Sequence, residues 1–124
     1  MSNETRARFI EAVRSIESAL EGMGFTQVPP VEQGFATWVS FRKSNCEVKF
    51  VCGPPEYHVE MFIEMRRVSG VKAYEFSDLM QMPTLARWIR ANRLVVQEDD
   101  QLCVESRWFA ELLRLALPVL DKQL

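Results

Sequence analysis

At 124 residues the chain suits one domain and can bury about two-thirds of its unfolded surface, so no disulfide scaffold is required. A formal net charge of −2 and a pI near 5.5 give no support for nucleic-acid binding, which needs a basic surface. Three cysteines, an odd number, point to a reduced protein.

Ser2 or Asn3 can cap a helix over 3–23. In it Phe9, Val13, Ile16, Leu20 and Met23 recur at intervals of three and four, with Ile10 beside them. Gly22 and Gly24 end it. Its single apolar stripe suits packing on a sheet, or a coiled-coil-like dimer. Residues 25–32 contain Val28-Pro29-Pro30-Val31 and read as a short edge strand or an extended connection. Met1 to Arg6 carry no apolar signal core, and no apolar run approaches membrane-spanning length. A cytoplasmic protein with no membrane association is expected.

Residues 35–65 alternate apolar and polar with period two, interrupted by Lys43-Ser44-Asn45 and Gly53-Pro54-Pro55-Glu56. That pattern predicts a three-stranded antiparallel meander. Phe35, Thr37, Val39, Phe41, Cys46, Val48, Phe50, Cys52, Tyr57, Val59, Met61, Ile63 and Met65 share the inner face. Pairing Phe41 with Cys46 and Cys52 with Tyr57 keeps the faces unmixed. Those registers place Val39 opposite Val48, Val48 opposite Met61, and Lys49 opposite Glu60 as an ion pair. Cys46 and Cys52 then stand about 20 Å apart on one strand and can share neither a disulfide nor a metal ion.

Val68-Ser69-Gly70-Val71 is a turn, and 73–76 a fourth strand. Ser77 can cap a short helix over 78–81, stopped by Pro83. Thr84 can cap a helix over 85–92 with Leu85, Trp88 and Ile89 on its apolar side. Residues 94–105 read as a second hairpin with an acidic tip at Glu98-Asp99-Asp100, because Val95, Val96 and Val104 are β-branched; a helix running on from Asp100 is the alternative. The last helix starts near Arg107, carries Phe109, Leu112, Leu113, Ala116 and Leu120, and kinks or ends at Pro118. The sum is a single α+β domain over 1–124: an antiparallel sheet covered by the first and last helices.

No motif assigns a catalytic, cofactor or metal role. His58, the one histidine, falls on the outer face opposite Val51 as a solvated strand residue. Glu56, Glu60 and Glu64 recur every four residues, but on a strand that spacing is about 13 Å and makes a polar face rather than a carboxylate pair. The acidic tip lacks the calcium-loop pattern, and no phosphate-binding glycine loop occurs. A non-enzymatic role without cofactors is therefore expected.

The outer face is interrupted by Trp38, Val51 and Phe62. Either later elements cover them, or they form a protein-binding or dimer surface. Arg87, Arg90 and Arg93, with Arg66 and Arg67, form a candidate basic patch for an acidic or phosphate-bearing partner, or a solvated face. Trp38, Val51, Phe62, Arg87 and Arg90 are the candidate partner-binding residues. Trp88 and Trp108 read as core.

The element order, with the run 35–65 followed by Tyr74-Glu75-Phe76-Ser77-Asp78-Leu79-Met80, resembles small bacterial immunity-like proteins. These carry a tyrosine-x-leucine-x-aspartate-leucine-leucine pattern after a strand-turn-strand unit; Phe76 and Met80 replace two of the usual leucines. The resemblance implies a cytoplasmic, non-catalytic protein that binds another protein, commonly a toxin. The order, size and acidic pI also look similar to class I chaperones of type III secretion, which are dimers holding an effector segment. A ligand-binding domain or small enzyme, with a pocket between sheet and helices, is the remaining alternative.

Overall fold

The computed structural model describes residues 3–95 and 101–122. Its elements run α1 (Asn3–Arg14), α2 (Glu17–Gly22), β1 (Thr26–Gln33), β2 (Ala36–Lys43), β3 (Cys46–Cys52), β4 (Val59–Arg67), β5 (Gly70–Tyr74), α3 (Phe76–Leu79), α4 (Pro83–Ala91) and α5 (Gln101–Asp121). The strands form one antiparallel sheet in the order β1-β2-β3-β4-β5. The chain is an α+β fold, with its N-terminal and C-terminal helices packed on the sheet. No helix among the described residues is long and apolar enough to cross a membrane.

The core lies between sheet and helices. Across the three central strands Val39 faces Phe50, which faces Met61; Phe41 faces Val48, which faces Ile63. All six are at most 3% exposed. Phe9 and Val13 from α1, Ile16 at the start of α2 and Leu20 within it, with Leu112, Leu113, Ala116 and Leu120 from α5, close the same cluster.

Within the strands the inner and outer faces are as the alternation predicts, but Phe35 and Tyr57 fall in the connections before β2 and β4 and are exposed, and both registers are shifted by two residues. Phe41 pairs with Val48, not Cys46, because the hairpin closes more tightly: Lys43 pairs with Cys46 around Ser44-Asn45, and Ser44 takes a positive φ of 32°. Cys52 pairs with Val59, not Tyr57, because loop 53–58 is longer than a tight turn. Tyr57 donates its N–H to the Gly53 carbonyl at 3.0 Å. An even shift preserves side-chain parity, which is why the faces survive the error.

The first helix is two pieces on one stripe. At the break the Ser15 N–H is shared between Glu11 and Ala12 carbonyls at 3.3 and 3.2 Å, and Ile16 bonds to Val13 at 3.1 Å. The Ser15 hydroxyl also donates to the Ala12 carbonyl, competing with the helical ladder. Gly24, at φ +95°, ends α2: Phe25 N–H reaches Leu20 O at 3.0 Å and Gly24 N–H reaches Glu21 O at 2.9 Å. Pro29 and Pro30 occupy a bulge on the edge strand β1, where a missing N–H does no harm.

Further corrections fall after β5. Glu75, not Ser77, caps α3, through a reciprocal bond with Asp78. Pro83 opens α4 as its first residue instead of merely stopping α3, so Thr84 is not its cap. Residues 101–105, expected as the second arm of a hairpin, are the first turns of α5. The buried stripe of that helix runs back from Phe109 to Glu105, and packing overrides the β preference of Val104. The expected tip, with Val96 and Gln97, lies outside the described residues. Pro118 sits inside α5, which continues to Asp121.

Candidate functional site: the helix-free face of the sheet

Even-numbered residues of β2 and β4 and odd-numbered residues of β3 point away from the helices. This face has two halves. Toward the β2–β3 turn it is polar and internally matched. Lys49 Nζ lies 2.9 Å from Glu64 and 3.5 Å from Glu47, and Arg42 pairs with Glu47. The expected Lys49–Glu60 pair is absent, since the two-residue shift puts Phe62 opposite Lys49. Burial alone would push the Glu47 carboxyl up, but the bond and charge of Arg42, with Lys49 beside it, hold it below its ordinary 4.5. Lys49 is held above its ordinary value chiefly by its bond to Glu64.

The other half is aromatic. Trp38 and Val51 are cross-strand partners, and the Trp38 and Phe62 rings lie 5.9 Å apart, tilted by 31°. Val51 is buried, whereas Trp38 and Phe62 are half-buried. The Trp38 Nε1–H is shut off from solvent with no acceptor among the described residues. Loop 53–58 flanks this group and leaves a cleft of about 470 Å³ lined by Trp38, Val51, Phe62, Pro54, Pro55, Glu56, His58 and Glu60 among others. A Cβ on Gly53 would stand 2.8 Å from that of Ala36, so glycine is needed where the loop leaves β3. Neither of the two expected alternatives describes this face fully: the meander's own loop flanks it, and a cleft stays open. A second cleft, about 260 Å³, adjoins at Glu60 and Phe62 and is lined by Phe76, Ser77, Glu75 and Phe109.

His58 is not a solvated strand residue opposite Val51; Glu60 holds that position. His58 ends loop 53–58, where its Nδ1 lies 3.0 Å from Oε2 of Glu105. Glu105 is 2% exposed. Its Oε1 accepts the Val59 N–H at 2.8 Å, and Gln101 Nε2 donates to Oε2 at 3.1 Å. Gln101 Nε2 is also 2.7 Å from His58 Nδ1. A carboxylate can only accept, so the Val59 N–H and the Gln101 amide donate to Glu105, while His58 Nδ1 faces both Glu105 and Gln101. This clamp fixes the loop and the start of β4 to α5.

The clamp orients an imidazole, but the neighbouring thiol is not poised as a nucleophile. Cys52 is fully buried, and burial, with the Glu105 charge behind it, pushes its pKa up to about 11. Cys46 is pushed up to about 11 by burial as well. Among the described residues no group of histidine, cysteine and carboxylate is arranged to hold a metal ion.

The arginines do not join one patch. Arg67 donates to the Leu120 carbonyl at 2.8 Å near the end of α5, whereas Arg66 lies on the outer side of the sheet. Arg87, Arg90 and Arg93 are exposed on and after α4, which packs through Trp88 on Trp108, ring centroids 5.4 Å apart. Trp108 and Leu120 are separated by about 18 Å of helix. None of these arginines lines the clefts at Trp38 and Phe62. Trp88 and Trp108 are half-buried, joined with Phe76 and Phe109 in one aromatic cluster.

Glu105 was absent from the expected site. Its only sequence signal is its place four residues before Phe109, on the apolar stripe of a helix begun earlier than expected. Comparison with known protein families, curated proteins and solved structures finds no match for this chain.

Proposed function

We propose that the protein is a non-catalytic, cytoplasmic protein-binding domain that holds a partner on the outer face of its sheet, at Trp38, Val51 and Phe62. The observation that carries this reading is the open aromatic cleft. Trp38 and Phe62 pack together on a face that no helix among the described residues covers, beside a loop anchored by Glu105. Half-buried aromatics fixed on a rigid sheet lose little freedom on binding and supply most of the burial. Action would be by occupying and occluding a partner segment, as the immunity-like resemblance implies; Arg87 and Arg90, on a separate surface, would act only in steering.

The test is capture from the native cell with the wild-type chain and with Trp38→Ala and Phe62→Ala. A protein retained by the wild type and lost by both variants, with far-ultraviolet CD unchanged, supports the reading. Retention by both variants overturns it. The oligomeric state of the purified chain separates the two resemblances, since a secretion chaperone acts as a dimer.

A further inference from the structure

The charges around the aromatic cleft say what kind of segment fits there. This inference rests on the docking reading above and adds the chemistry of the occupant. On the polar half of the face every carboxylate already has a cation: Glu47 has Arg42 and Lys49, and Glu64 has Lys49. On the aromatic half, Glu56 and Glu60 are exposed and have no ion-pair partner among the described residues. Neither cleft is lined by a lysine or an arginine. Unmatched negative charge therefore borders the apolar floor made by Trp38 and Phe62.

The backbone adds a second constraint. β5 pairs with β4 only from Ile63 to Arg67. Beyond the Ile63–Tyr74 rung the chain turns into α3, so among the described residues Met61 has no strand partner on that side, while the Val59 N–H there is held by Glu105. The two clefts meet along this stretch, sharing Glu60 and Phe62. A continuous groove along one strand suits an extended segment.

We infer that the occupant is an extended segment of a partner protein that carries aliphatic side chains flanked by lysine or arginine. The aliphatic residues rest on Trp38 and Phe62. The cations meet Glu56 and Glu60, within reach of the aromatic faces, where a desolvated cation is further stabilised.

Fluorescence anisotropy with labelled synthetic peptides tests this on the intact chain. The probes are a short peptide of leucines flanked by lysines, one with glutamate for lysine, and one with serine for leucine. The leucine–lysine peptide is expected to bind about tenfold more tightly than either of the others. Glu56→Gln and Glu60→Gln, both at exposed positions, are each expected to weaken it about threefold and to flatten its salt dependence. Equal binding of the lysine and glutamate peptides, or unchanged affinity in both glutamine variants, overturns the inference. So does no binding of the leucine–lysine peptide. The docking reading stands or falls separately: it survives if Trp38→Ala and Phe62→Ala still abolish partner capture, and fails if they do not.

Discussion

A carboxylate that is 2% exposed needs donors around it, and Glu105 has Val59 N–H, Gln101 Nε2 and His58 Nδ1 within 3.1 Å. The first of these matters most for the fold. Val59 begins β4, and its amide is on the side away from β3. With Glu105→Ala that buried N–H loses its acceptor, which is expected to cost about 3 kcal/mol. Glu105→Gln keeps an oxygen for Val59 but loses the charge that strengthens the other two bonds, and is expected to cost about 1 kcal/mol. Urea unfolding of the two variants checks the order, and faster hydrogen exchange at Val59 in Glu105→Ala locates the effect. If alanine and glutamine are equally mild, the clamp is not what fixes loop 53–58.

Strand parity was legible from sequence and strand register was not, and the physics of the two differs. Parity is a local property, set by the period-two alternation along each strand. Register depends on loop conformation, and the backbone at Ser44 and Tyr57, both at positive φ, gives no pattern in an apolar/polar alternation. The helical start of α5 was hidden for a related reason. Glu105 interrupts the apolar stripe, and two of the groups that make its burial tolerable, His58 and the Val59 N–H, lie more than forty residues earlier in the chain. The register has a measurable consequence. It joins Arg42, Glu47, Lys49 and Glu64 into one strip across β2, β3 and β4, where the expected register would have joined Lys49 to Glu60. Glu47 titrates below its ordinary 4.5 in the folded chain, so the stability it contributes is present above that pH and is lost as the pH falls through the lowered value. Glu47→Gln should therefore be less stable than wild type at neutral pH, and the gap should close in acid. Thermal melts at a series of pH values check it. A gap independent of pH would place the Glu47 contribution in packing, not charge.

At the scale of the molecule the sheet has one face for folding and one left open, and the two can be weighed against each other. Phe50 and Phe62 are both aromatic residues on central strands, in β3 and β4. Phe50 is fully buried, packed edge-on to Phe41 with ring centroids 6.0 Å apart, between Val39 and Met61 on the neighbouring strands. Phe62 is half-buried beside Trp38 in an open cleft. Phe50→Ala removes a ring from a closed core and is expected to cost about 3–5 kcal/mol, a large share of a stability on the order of 5–15 kcal/mol. Phe62→Ala returns only part of a ring to water and leaves no closed cavity, so about 1 kcal/mol is expected. Partner binding should invert that order: Phe62→Ala should lose capture while still folded, and Phe50→Ala should keep it at temperatures below its own melting transition. Urea unfolding and capture on the same preparations give both numbers. Comparable stability losses in the two variants would make the outer face a second core, and the cleft would then be a packing feature with no partner to receive.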